Sequence, residues 1–145
     1  MTLIFNRSYL SAKLLVASVT LGLTLQLEAQ LLVRYELPQI TGDLAVVRIS
    51  LQNKSKEDVE AARAVAFLIN SEGKIIGQST RWVIGGDVTT ILHADTTNFF
   101  SFVIPVEEKA GTNFSTRITF TRLVFAGGRV ANPGKETIVF RAQDR

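Results

Sequence analysis

The 145-residue chain predicts an all-β domain, a sandwich of seven to eight short antiparallel strands behind an N-terminal leader. Three observations predict it. Apolar and polar residues alternate over short stretches, the period of a half-buried strand. Clusters of Gly, Asn, Asp and Pro separate those stretches. Beyond residue 30 no segment carries the 3.6-residue apolar period of a long amphipathic helix. With 46% hydrophobic and 20% charged residues, the composition is that of one globular domain with an apolar surplus at one end.

The surplus is the leader. Arg7 and Lys13 precede the apolar run Leu14–Leu25, and Gln26, Leu27, Glu28 and Ala29 follow it. A basic start, a short apolar segment and a small residue at the end make a secretory signal, with cleavage expected before Gln30. Leu27, three positions before that bond, is larger than signal peptidase prefers. The other reading is a retained anchor, but Gln26, Glu28 and Gln30 interrupt the roughly twenty apolar residues that a span needs. The expected organisation is a signal peptide over 1–29 and one domain over 30–145, secreted to the periplasm or the exterior of a bacterial cell and without a stable membrane span after cleavage.

Leu31–Leu37 alternates cleanly, with Leu31, Val33 and Tyr35 on one face and Arg34 and Glu36 on the other, and Pro38 ends the strand. Thr41-Gly42-Asp43 turns the chain into Leu44–Gln52, where Val47, Ile49 and Leu51 share a face. Asn53–Glu60 is polar and reads as a loop. Ala61–Ile84 reads as the central hairpin: Asn70-Ser71-Glu72-Gly73 breaks it, and Gly73 supplies the positive φ that a tight turn requires.

Gly85-Gly86-Asp87 breaks the chain again, Val88–Leu92 is a candidate short strand, and His93–Thr96 is turn-like. Thr97–Val106 follows, with Phe100, Phe102 and Ile104 on one face and Phe99, Ser101 and Val103 on the other; Pro105 places its end at a sheet edge. In Thr116–Ala126 the alternation slips, which predicts a bulge around Thr121-Arg122. Gly127-Gly128 reads as a two-residue hairpin turn, Asn132-Pro133-Gly134 as another turn, and Thr137–Arg141 as the closing strand. This succession predicts a sandwich of immunoglobulin-like type, with a small closed barrel as the alternative.

The segments Leu51-Gln52-Asn53-Lys54-Ser55, Val65–Lys74 and Thr97–Phe102 together resemble exported bacterial FxLYD-type domains, which are small immunoglobulin-like sandwiches. Asn70 stands where that pattern usually has aspartate, and Gly127 replaces the aspartate of a related valine-phenylalanine-alanine-aspartate-glycine hairpin. The resemblance covers about half the chain through turn and core positions. It implies a fold and brings no catalytic residue.

Several chemistries are excluded or weakened. The chain has no cysteine, so disulfides, thiolate metal sites, thiol nucleophiles and a lipoprotein attachment are impossible. Without Arg7, Lys13 and Glu28 the excess positive charge falls from three to two, too even for a nucleic-acid binder. His93 is the single histidine; a triad would need Ser79 or Ser101 with Asp95 brought in by folding, and no Gly-x-Ser-x-Gly elbow is present. Asp43, Asp87 and Asp95 either gather as oxygen ligands for calcium or simply start turns. Neighbouring carboxylates, Glu57-Asp58 and Glu107-Glu108, belong to loops. No motif calls for a cofactor.

The expected activity is therefore non-enzymatic: binding of an envelope or secreted protein through an edge strand or an aromatic sheet face. Trp82, Arg81, Phe99 and Tyr35 are the candidate contact residues. Trp82 is either buried between the sheets or turned to the opposite face beside arginines such as Arg117 or Arg122, where a cation–π contact would make it an anchor. A small-ligand or carbohydrate module stacking on Trp82 and Tyr35 is the alternative.

Overall fold

A computed structural model of the chain describes residues 29–86, 90–106, 111 and 113–143. The expected signal peptide, apart from Ala29, lies outside them. Nine strands are present among the described residues: β1 (Leu31–Tyr35), β2 (Gln39–Thr41), β3 (Leu44–Asn53), β4 (Val59–Ile69), β5 (Ile75–Ile84), β6 (Thr97–Pro105), β7 (Ser115–Phe125), β8 (Arg129–Ala131) and β9 (Thr137–Arg141). One helical turn, α1 (Pro133–Glu136), joins the last two. Two sheets face each other across one apolar core as an immunoglobulin-like sandwich, and no barrel closes among the described residues.

In the first sheet β3 pairs with β6 along one edge and with β1 and then β2 along the other. Val33 faces Leu51 whereas Gln39 faces Val46, so the register slips by one residue around Pro38, which has no N–H to continue the ladder. The strand expected over Leu31–Leu37 stops at Tyr35, and Gln39–Thr41 adds a short strand beyond Pro38 that the sequence did not announce. β9 lies parallel to β1, with Val33 beside Val139. This pair departs from the fully antiparallel expectation, because two chain ends running the same way meet at one sheet. The second sheet runs β5-β4-β7-β8, all antiparallel.

The alternation read from the sequence is the alternation that packs. Ala45, Val47, Ile49 and Leu51 of β3, Ala62, Ala64, Ala66 and Leu68 of β4, and Phe102 and Ile104 of β6 point inward. Small alanines share that layer with Phe102, Phe120 and Phe125, so unequal side chains fill it.

The central hairpin turns where expected, with Gly73 at φ 79°. Asn70 Oδ1 accepts the amides of Glu72 (3.0 Å) and Lys74 (2.9 Å), closing the turn through its own side chain. The β7 bulge is also where the slipped alternation put it: Ala64 faces Phe120 but Arg63 faces Arg122, leaving Thr121 as the extra residue.

Two turns differ from expectation. Phe125 faces Arg129, so the Gly127-Gly128 connection is the three-residue turn Ala126–Gly128. Asn132-Pro133-Gly134 opens α1: proline needs no N–H donor at a first turn, and Asn132 Oδ1 caps the Gly134 amide at 3.0 Å. Of the strand expected at Val88–Leu92, residues 88 and 89 lie outside the described residues, and Leu92 forms a single bridge to Val59. No helix among the described residues is long and apolar enough to cross a membrane.

Candidate functional site

The two sides of the sandwich are built differently, and the difference locates the site. On one side the edge strands β5 and β6 close on each other at Gly77, where an added Cβ would lie 2.5 Å from the Pro105 oxygen and 2.8 Å from Ile104 Cγ2. On the other side β8 pairs with β7 only over Leu123–Phe125. The chain then turns through α1 and crosses to the first sheet as β9. Among the described residues, β7 therefore has an unpaired edge from Ser115 to Arg122, and the outer edge of β9 is unpaired as well.

A depression of about 340 Å³ opens between these edges, lined by Tyr35, Ile69, Thr116, Arg117, Ile118 and Val139 with Ser115 at its rim. Thr116 is 8% exposed, and its Oγ1 is a buried polar atom with no hydrogen-bond partner among the described residues. Buried hydroxyls are normally paired, since an unmade bond leaves the desolvation cost uncompensated. The seam thus offers a row of backbone donors and acceptors and a recess of mixed polar and apolar lining, with one unpaired hydroxyl buried beneath it.

Trp82 lies half-buried on the outer face of the second sheet, which excludes burial between the sheets. Its arginine is Arg63, across the β4–β5 ladder, with the guanidinium carbon 5.9 Å from the ring centroid. Gly86 lies against the same ring, where any Cβ would collide. Two irregularities flank Arg63: a register shift against β5 between Ala62 and Arg63, and the Thr121 bulge against β7. They align Trp82, Arg63 and Arg122 in one row across three strands. Arg81 pairs with inward-facing Ala64 and is nonetheless exposed; a charge at such a position blunts an edge strand against aggregation.

Phe99 is 76% exposed on the outer face of the first sheet. Register places it in the row Phe99–Ser50–Arg34–Phe140, with Arg34 above the Phe140 ring at 5.7 Å. Small Ser50 between large neighbours leaves a shallow trough of about 270 Å³. The four expected contact residues therefore separate: Trp82 and Arg81 on β5, Phe99 on the opposite outer face, Tyr35 at the seam. Trp82 and Tyr35 form no common stacking platform.

His93 is exposed, and its Nδ1 lies 3.0 Å from Asp58 Oδ2, so its carboxylate is Asp58 and not Asp95. The Ala94 amide bonds the other oxygen at 2.9 Å. That amide, and then the His93 side chain, hold the Asp58 carboxyl below its ordinary range. Ser79 is buried in β5 and Ser101 lies on the outer face of β6, with no hydrogen bond from either to His93 among the described residues. No group of three or more His, Asp or Glu that could hold a metal ion occurs among the described residues; Asp87 lies outside them.

Sequence reasoning missed two residues that matter. Thr116 carries no signal, being one more inward position of a strand. Asn53, expected to open a loop, is fully buried and brackets that loop: its amide donates to the carbonyls of Glu57 (2.8 Å) and Leu92 (3.2 Å), while Oδ1 accepts from Ser55 Oγ at 2.7 Å.

No family model matches this chain, and no curated protein matches it in sequence. Solved structures similar to it include IrmA from Escherichia coli, at 11% identity and a TM-score of 0.48, covering 77% of this chain and 92% of that one. Northeast Structural Genomics Consortium target SoR45 is similar at 12% identity and a TM-score of 0.40, covering 70% and 75%. A β-glucuronidase of glycoside hydrolase family 2 is similar at 10% identity and a TM-score of 0.40 over 64% of this chain; the likeness spans only 10% of that enzyme. At these values none of the three bears on activity.

Proposed function

We propose that this is an exported, non-enzymatic binding domain that takes an extended segment of an envelope or secreted protein as an extra strand beside β7. One observation carries the reading: the crossing of β8 into β9 leaves Ser115–Arg122 without a partner strand among the described residues. Backbone pairing supplies affinity in strand addition, and pockets for alternate side chains supply specificity. The seam has both, the pocket being the recess of Ile69, Ile118 and Val139. The resemblance to exported FxLYD-type domains and the leader belong to the same reading.

The test is selection of displayed random peptides against the full chain, followed by amide hydrogen exchange with the selected peptide bound. New protection confined to the β7 amides between Ser115 and Thr121 is the expected result. Protection on β5, or on the Phe99 face, would move the site; the absence of any extended binder would end the proposal.

A further inference from the structure

The outer face of the second sheet tells what that segment must carry. Its cross-strand rows end at the free edge of β7: Trp82–Arg63–Arg122 is one, and Gln78–Phe67–Arg117 another. Arg63 and Arg122 stand directly opposite each other, an arrangement of like charges that costs stability in a sheet. Arg81, Arg117 and Arg122 form no ion pair among the described residues. Two register irregularities beside Arg63 hold this arrangement in place. The parity of Ile118 and Phe120, both inward, would have continued to Arg122, and the extra residue Thr121 turns Arg122 outward instead. Bulges re-aim side chains in this way at functional edges.

Resting on the strand-addition reading, we infer that the partner segment is an amphipathic strand with two carboxylates on its outward face, one opposite Arg117 and one opposite Arg122, and apolar residues on its inward face. The next strand in the sheet would extend both rows, so each carboxylate would sit where a cross-strand ion pair forms. The spacing follows from β4, the strand on the other side of β7: Phe67 faces Arg117 and Arg63 faces Arg122, four residues apart. The partner's acids are accordingly four residues apart, with inward side chains between them meeting Ile118 and Phe120.

Charged side chains also guard free strand edges against all comers. A guard disfavours any added strand, whereas a recognition row favours one charge pattern, and binding separates the two. Three labelled synthetic peptides of alternating valine and polar residues, carrying glutamate, serine or lysine at the two outward positions, are titrated into the full chain by fluorescence anisotropy. The glutamate peptide is expected to bind about tenfold tighter than the lysine peptide. The preference should shrink as salt rises from about 0.1 M to about 0.5 M.

The double variant Arg117→Glu/Arg122→Glu should reverse the order, and Arg117→Ser/Arg122→Ser should abolish it; circular dichroism checks that both fold. Equal binding of all three peptides overturns the charge inference and leaves strand addition standing. If none binds, or if exchange protection appears away from β7, both fall. A full chain that sediments as a dimer with protected β7 amides assigns the edge to a second copy and overturns the acidic partner.

Discussion

The seam between β5 and β6 and the seam between β7 and β9 bound the same core, and the first is drawn tighter: β5 meets β6 at Gly77, with a recess of about 280 Å³ beside the contact, against about 340 Å³ between β7 and β9. Closure there depends on one residue without a side chain, since Gly77 lets the β5 backbone reach the Pro105 carbonyl. Opening on the other side depends on one change of direction: α1 takes the last strand away from β7 before it has paired along its length. A sandwich that spends its final strand on the other sheet keeps its core and leaves an edge. An unpaired edge can thus be a consequence of topology with no special sequence of its own.

The largest effect should come from forcing the closed side apart. Gly77→Val places side-chain carbon against the Pro105 carbonyl and Ile104, and overpacking of this kind should cost about 3 kcal/mol by chemical denaturation. A loss under about 1 kcal/mol would mean that β5 and β6 do not hold each other as closely as described.

The open side should respond in the opposite direction. Thr116→Val removes a buried hydroxyl that has no partner, so the free protein should gain about 1 kcal/mol while its affinity for an added strand falls. A destabilised variant would show that the hydroxyl already has a partner in the free protein. Unchanged affinity together with higher stability would remove Thr116 from the site and leave the β7 edge as its only determinant.

The smallest expected effect lies away from both seams and serves as their control. Asp58 has its folded pKa below the ordinary value of 3.8, because the Ala94 amide and His93 favour the carboxylate. Its contribution to stability is therefore present above about pH 4 and lost as pH falls through the folded pKa. Asp58→Asn should flatten the acid limb of the Tm profile below about pH 4 and leave strand binding at neutral pH untouched. An acid limb identical to that of the parent chain would show that these contacts do not act on folding.

Much of the fold was legible in the sequence because its cues are local. Alternation marked inward Phe102 and Ile104 against outward Phe99 and Val103, Gly73 marked a positive φ, and the slip between Phe120 and Leu123 marked the bulge. The candidate site was legible only in part. Tyr35 and the arginines of β7 stand out in the sequence, but it leaves Trp82 either between the sheets or outward beside an arginine such as Arg117 or Arg122, and the structure turns it outward against Arg63. Which residue faces which across a ladder depends on register, and two shifts around Arg63 decide it.

The sequence by itself determined most of the long strands, their inward and outward faces and the Gly73 turn, since each rests on contacts within a few residues or on a period of two. Only the tertiary structure decided that β1 pairs parallel to β9, that β7 keeps an open edge, and that Thr116 is buried without a partner. Those outcomes depend on which segments meet at a shared edge, as Val33 meets Val139, and nothing in the chemistry of a single strand records which neighbour it will meet.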